Sequence, residues 1–514
     1  MSLVPMLHPP DDVMVSAFAF TLAIATLACR SDLQSAPGDP ADKIDAPVAS
    51  AMGDGSPVPV LILGRTQLLE FPDGFRRFTE THANRDRGHL RSEVITELKA
   101  IASAEQAEIL AGLDSQSAPH PLWLVNGIVV ELSSSQIRQA AELASVKYIY
   151  HAGFVSGISG DAGSVSQVLQ PSDRPTFSSV GKSIPWNVEL IGANRVWNEL
   201  GVTGEGVVVA VLDNGANYTH SDLRDNIWIN EGEVPNNGAD DDGNGYVDDY
   251  YGFNFRSMRA EVGDFSGQSE HGSWVSGIIA GDGTAGTVTG IAPRAKLMLL
   301  MQNNIHSAVL AHQYALENGA DVINMSFSLP NLGNLRGVWR LLAEQAIAAG
   351  LVMLSGAGNF QQSAAIPEQL RIPEGIPSVI AVGGVGRDLA VTFFSSLGPV
   401  EWSSVRFYSD LPSLTKPDVA AFPGPGYPLL GLGGSGYINP NTSIAGNSFS
   451  GPHAAGVAAL MLSAQPGLPA WRVKEIMEAT AEDLGPTGKD NSTGSGLLNA
   501  HAAVMAAMGR GLEP

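Results

Sequence analysis

Residues 207–215 read Val-Val-Val-Ala-Val-Leu-Asp-Asn-Gly. Six apolar residues in a row, four of them valine, closed by an Asn-Gly turn, describe a short strand buried on both faces rather than one side of a helix. The strand delivers a carboxylate, Asp213, at its end. Functional groups of open α/β sheets gather at the carboxyl ends of their strands, although an Asp-x-Gly after a strand is as readily an ordinary turn. Working outward, Asp321 to Ser326 (DVINMS), Leu351 to Leu354 (LVML) and Val379 to Val382 (VIAV) repeat the pattern. Helical stretches such as Val309 to Asn318 lie between them. Residues 185–514 are therefore expected to form an α/β domain, a parallel sheet flanked by helices.

A smaller α+β unit is expected over residues 58–154. A strand from Val58 precedes a helix whose apolar face carries Val94, Leu98, Ile101 and Ala102. Leu122 to Leu132 reads as a strand pair or bulged strand. Ser133 to Ser135 caps a helix with Ile137, Ala140, Ala141 and Ala144 on one side, and Val146 to Tyr150 is a closing strand. Residues 30–57 and 155–184 are rich in Ser, Gly, Asp and Pro, and read as a disordered tether and a linker.

Residues 1–29 read as an export signal. The apolar run Val13 to Ala28 is shorter than the roughly 20 residues a membrane span needs. It ends at Cys29, the single cysteine of the 514 residues, which excludes an intrachain disulfide. Thr26-Leu27-Ala28-Cys29 resembles a bacterial lipobox, with Thr26 where Leu is usual and Asp11 and Asp12 where basic residues are usual. Cys29 is thus a candidate for lipidation, the alternative being an inert thiol. The expected location is outside the cytoplasm, secreted or held in the cell envelope. A formal net charge of −23 argues against a nucleic-acid partner.

Three further segments carry candidate chemistry. His271 opens an apolar helix in EHGSWVSGIIAG, and Asn359 ends a strand in LSGAGN. Ser448 stands at a helix start in GNSFSGPH, beside backbone N–H groups that can stabilise an oxyanion. Taken singly, each has an everyday reading as a cap or a turn residue.

Together, in this order and at these separations, they resemble the subtilisin-like serine proteases. That family's D-[ST]-G, HGTHVAG, AAGN and GTSMAxPH motifs align with Asp213, His271, Asn359 and Ser448. The resemblance extends from about Pro185 to Val504 through WNVELIGANRVW, GIAPRAKLM, VIAVGGV, FFSSLGP, KPDVAA and GSGLLNAHAAV. It implies an endopeptidase acting on polypeptides, with Ser448 as nucleophile, His271 as general base, Asp213 orienting it and Asn359 as an oxyanion donor. Asn214, Trp274, Ser276 and Asn447 depart from the motifs. None removes a reacting group, and a peptide-binding relative that does not cut is the alternative. Ser326, Phe327 and Ser328 stand where the substrate strand reads Ser-Leu-Gly. A shallow primary pocket for small or medium apolar side chains is expected there.

The acidic run 240–248 places Asp240, Asp242, Asn244, the Tyr246 carbonyl and Asp248 at positions 1, 3, 5, 7 and 9 of an EF-hand-like loop. Tyr251 falls at position 12, where a bidentate Glu is usual. Similar stretches in these proteases imply a structural Ca²⁺. The same resemblance implies that 58–154 is an inhibitory propeptide, cut within 155–184 in an autoprocessed zymogen, or else a permanent accessory domain. The chain is expected to act as a monomer.

Overall fold

The computed structural model describes residues 39–510 except 54, 70, 114–117, 154–176, 264–269, 331, 410, 412, 425, 432 and 439–443. The expected export segment, Cys29 and most of the 155–184 linker lie outside the described residues. Among the described residues, no helix is long and apolar enough to cross a membrane.

The apolar run from Val58 forms strand β1 (Val58–Gly64), which pairs antiparallel with β3 (Gly127–Leu132) on one side and β4 (Val146–His151) on the other. β2 (His120–Leu122) adds to β3, giving the order β2-β3-β1-β4. The expected helix runs further than its apolar face suggested, as α1 (Arg87–Ala111), capped by Asp86. Helix α2 (Ser134–Glu142) starts with a reciprocal Ser133–Gln136 capping box. A helix over Gly74–Thr81 had no clear signal in the sequence.

The reading of 30–57 as a structureless tether is corrected from Asp39 onward. Pro40–Lys43 makes a 3₁₀ turn and Ala46–Ala51 a short helix. Val48 is fully buried, and Ile44 bridges Ile149 of β4. The apolar residues of this stretch are few, but Val48 joins the core of the small unit and Ile44, Ala51 and Met52 pack against it, a placement that average composition conceals.

The second unit is built on seven parallel strands. In chain order these are β5 (Val208–Asp213), β6 (Gly252–Asn254), β7 (Lys296–Met301), β8 (Val322–Met325), β9 (Val352–Gly356), β10 (Ile380–Gly384) and β11 (Val419–Ala421). Their spatial order is β11-β10-β9-β8-β5-β7-β6. Helices α3 (His271–Ala280), α4 (Ile305–Glu317), α5 (Leu335–Ala348) and α6 (Ser450–Ala464) cover the sheet. The near-continuous apolar strands are thus explained by burial on both faces.

The two units share one apolar core and a set of polar contacts, most of them buried. Arg87 of α1 reaches Asp321 at 2.6 Å, and Arg91 donates to the Ala320 carbonyl at 2.5 Å. Lys99 pairs with Glu317 at 2.6 Å. The Leu124 N–H donates to Gln313 Oε1 at 3.1 Å, while the Gln345 amide donates to the Leu124 carbonyl. The small unit therefore sits on α4, α5 and the starts of the strands beside them.

Beside β11, Lys416 and Asp418 form a fully buried ion pair, and Lys474 and Lys489 each approach Asp418 at 2.9 Å. Burial alone would raise the Asp418 pKa, but the three lysines outweigh it and hold the carboxyl well below its ordinary value.

Candidate active site

Asp213 ends β5 at the carboxyl edge of the sheet, and His271 is the first residue of α3. His271 Nδ1 lies 2.9 and 3.0 Å from the two Asp213 oxygens, which leaves Nε2 for other work. Asp213 Oδ1 also accepts the Asn214 N–H at 2.8 Å. Asn214, one of the departures, accepts the Gly272 N–H on its Oδ1 at 3.2 Å and so ties the turn to the start of α3. Gly272 is required there, because a Cβ would collide with the Gly215 carbonyl. Burial disfavours the charged imidazole. The Asp213 carboxylate, by charge and by hydrogen bond, overcomes this and raises the His271 pKa above its ordinary value.

Ser448 stands just before α6, whose residues through Leu462 are all buried. Its Oγ is 3.5 Å from the Ser326 carbonyl oxygen, while Ser326 Oγ donates to the Ser448 carbonyl at 2.9 Å. The next residue, Phe449, brings its ring within 5.9 Å of the His271 ring and 6.0 Å of Trp274. Trp274 is held from the other side, its indole N–H donating to the Leu430 carbonyl at 3.1 Å. Leu430 belongs to a small hairpin, β12 (Leu429–Leu430) with β13 (Tyr437–Ile438), formed by the Gly/Pro-rich stretch before the serine. Tyr437 of that hairpin donates to Asp222 at 2.6 Å. The insertion is thus packed onto the histidine helix, and Trp274 serves as one of its fasteners.

Asn359 follows β9. Its Oδ1 accepts the Asn447 N–H at 2.8 Å, so the amide nitrogen is the end left to donate. The Asn447 side chain, fully buried, donates to the Gly358 carbonyl at 2.7 Å and to Ser395 Oγ at 3.0 Å. The residue replacing threonine beside the nucleophile therefore clasps the loop that carries Asn359. Sequence reading noted the departure, but not this role.

Ser326, Phe327 and Ser328 line a cavity of about 120 Å³ together with Gly356, Gly358, Asn359, Phe360 and Ser448. Behind it lies Glu374, fully buried, which accepts the Ser328 hydroxyl at 2.7 Å and the Arg371 N–H at 3.0 Å on the same oxygen. Burial pushes its pKa up to about 7. Nothing in the local sequence announced Glu374.

The acidic loop is arranged differently from the EF-hand count. Carboxylate oxygens of Glu233, Asp242 and Asp249 lie within 4.8 Å of one another. Of the five expected ligands, Asp242 alone supplies a carboxylate to this cluster. Asp240 is spent on the backbone N–H groups of Gly243, Asn244 and Gly245. Asp248 accepts the N–H groups of Asn237 and Gly238. Asn244 accepts the Tyr246 N–H and donates to Asp242 and Asp249, bracing both carboxylates, and Tyr246 packs its ring on Phe253 and Tyr314. The other Glu233 oxygen is buried and has no partner among the described residues. Three converging carboxylates, one with an unmet oxygen, fit a hard cation that takes oxygen ligands.

Comparison with known proteins agrees with this geometry. A family model described as "Subtilase family" matches residues 204–496. The chain is 30% identical over 333 residues to Subtilisin DY of Bacillus licheniformis, covering 63% of this chain and 99% of that protein. It is 30% identical over 330 residues to Subtilisin E of Bacillus subtilis (strain 168), covering 63% and 72%. Fervidolysin of Fervidobacterium pennivorans is 27% identical over 367 residues, covering 66% and 46%.

Proposed function

This chain belongs to the subtilase family of serine endopeptidases, and from that premise we propose that it cleaves polypeptides through an acyl-enzyme formed on Ser448. The observation that carries the reading is the contact of His271 Nδ1 with Asp213 at 2.9 Å, beside the helix start that bears Ser448. Asp213 fixes the tautomer in which His271 Nδ1 holds the proton and Nε2 is free. Nε2 then takes the Ser448 proton as Oγ attacks the scissile carbonyl, and returns it to the leaving amine. The developing oxyanion is met by the Asn359 amide and the Ser448 N–H. A water, activated by the same imidazole, releases the acyl group. The approximately 120 Å³ cavity beside Ser448 takes the side chain preceding the cleaved bond, and its size favours small and medium groups.

The small N-terminal unit acts as an inhibitory propeptide, and the chain is an autoprocessed zymogen. Its contacts with α4 and α5 support this reading, since they dock the small unit on the protease domain. The protein is exported and works as a monomer. Cys29, when lipidated, anchors the N-terminal part, and cutting in the linker frees the protease from it. Glu233, Asp242 and Asp249, braced by Asn244, hold a structural Ca²⁺, which neutralises the converging carboxylates and stiffens the loop packed against α4.

Expression of wild type beside Ser448→Ala tests the reading. Wild type should lose its N-terminal unit, hydrolyse casein and label with a fluorophosphonate, and Ser448→Ala should do none of these. Purified wild type freed of residues 1–184 that neither labels nor cuts is a peptide-binding relative instead.

A further inference from the structure

The primary pocket, expected from the sequence to suit small or medium apolar side chains, also carries polar groups in its lining. Besides Ser448, two hydroxyls line it, and both have committed their protons elsewhere. Ser326 Oγ donates to the Ser448 carbonyl at 2.9 Å, and Ser328 Oγ donates to Glu374 at 2.7 Å. A hydroxyl has one proton and two lone pairs; Ser326 Oγ already spends one lone pair on the Asn324 amide at 2.9 Å, so Ser328 is the stronger acceptor of the two. Glu374 itself has no solvent exposure, and its Oε2 has no hydrogen-bond partner among the described residues. Buried carboxyl oxygens without partners are rare and costly in native proteins.

Little separates this carboxyl from the pocket. Gly358, which lines the cavity, has φ of +83°, and a Cβ built on it would stand 3.0 Å from Glu374 Oε1. Any other residue at 358 would therefore strain the backbone and crowd Glu374 Oε1, the oxygen that Ser328 and Arg371 share. The ring of Phe360 closes the neighbouring wall, held by the Arg371 guanidinium 3.5 Å above it.

We propose that Glu374, acting with Ser328, is a specificity-determining residue that selects substrates whose side chain before the cleaved bond is short and carries a hydrogen-bond donor. Ser, Thr, Asn and Gln satisfy it, while Ala, Val and Leu leave the acceptors unmet. This deepens the endopeptidase reading and rests on it for the identity of the pocket. A side chain that fills such a site without a donor forfeits a hydrogen bond to a charged or strongly polar group, worth on the order of tenfold in discrimination or more.

The test uses paired peptides that differ at this one position, Thr against Val and Gln against Leu, with the processed enzyme. The expected kcat/KM favours the donor-bearing member about tenfold or more in both pairs. Glu374→Gln, which keeps one acceptor for Ser328 and Arg371 but turns the other atom into a donor, should collapse that ratio. A wild-type ratio at or below one overturns the proposal whatever the variant does. So does a donor preference that Glu374→Gln leaves intact. If Glu374→Gln does not fold, Ser328→Ala replaces it and should likewise lower the ratio. Binding of the same peptides to Ser448→Ala protein, freed of its N-terminal unit by added protease, gives the ratio without catalysis. Failure of the hydrolytic reading is thereby separated from failure of this one.

Discussion

The backbone N–H of Asn447 donates to Oδ1 of Asn359 at 2.8 Å, linking the residue before the nucleophile to the end of β9. An Asn amide can point either way, and this bond fixes which end faces a reacting carbonyl. Asn359→Ala should lower kcat by about 10²–10³-fold with little change in KM, because the lost donor serves the transition state. Asn447→Ala keeps the backbone N–H but frees the Gly358 loop, and should lower kcat less, by roughly tenfold. Steady-state kinetics on one peptide ester checks both, and an unchanged kcat in Asn359→Ala removes that residue from the oxyanion site.

Proton transfer sets the pH dependence. His271 accepts a proton only when neutral, and Asp213 raises its pKa above the ordinary value. Activity should therefore be low in acid and rise with pH through a midpoint above about 6.5. Asp213→Asn should move that midpoint downward and reduce kcat on the order of 10⁴-fold. A kcat/KM profile with its acid limb unmoved in the variant contradicts the assigned pairing.

The buried cluster at Asp418 makes a separate claim about stability. With its folded pKa depressed, Asp418 contributes stability that is present above its unfolded value of about 3.9 and is lost as pH falls through the folded one. Asp418→Asn takes the carboxylate from the buried Lys416, while Lys474 and Lys489 keep Glu478, and should cost about 3–5 kcal/mol. Urea unfolding at neutral pH reads this directly, and a loss under 1 kcal/mol would show that water reaches the cluster.

Cation binding should also be visible as stability. A free Ca²⁺ concentration a hundredfold over Kd adds about 2.7 kcal/mol for a site present only in the folded chain. Asp249→Asn and Glu233→Gln should each remove most of that increment, whereas Asp248→Asn should retain it. Thermal unfolding with Ca²⁺ and with chelator distinguishes this set from the EF-hand count, which includes Asp248 and omits Asp249.

Arg87 supplies one of the buried contacts that dock the small unit. Arg87→Ala leaves Asp321 with the Arg91 guanidinium, 3.8 Å away. In full-length Ser448→Ala protein, removal of residues 39–153 by an added protease should then accelerate at least tenfold. Equal rates would place the hold of this domain in its apolar contacts.

What the sequence disclosed follows from physical range. β5 was legible because burial on both faces leaves every residue apolar, and Ser448, His271 and Asn359 were legible because their motifs are local. Glu374 was not, since its meaning depends on Ser328, 46 positions away. The loop count and the carboxylate cluster of Glu233, Asp242 and Asp249 coincide only at Asp242. Asp248 takes a left-handed φ of 54°, so the chain turns there, and Asp249 is the fully buried one that reaches the cluster. Counting along a loop does not register such a turn. The polar groups around the pocket were out of reach for a related reason, as replaced glycines reveal volume but not what stands behind them.

Asp321, the aspartate that receives Arg87, is itself a junction. One of its carboxyl oxygens accepts the Val208 N–H, its own N–H donates to the Val208 carbonyl, and its carbonyl accepts from Val352. Three neighbouring strands thus begin at one residue: β5, β8 and β9. They end at Asp213, at Ser326 and at the turn to Asn359. Side chains alternate along a strand, so a slip of one residue at the start would turn the working group at the far end to the opposite face. The arginine grips the place where the alignment of all three is set, at the end of the sheet opposite the catalytic edge.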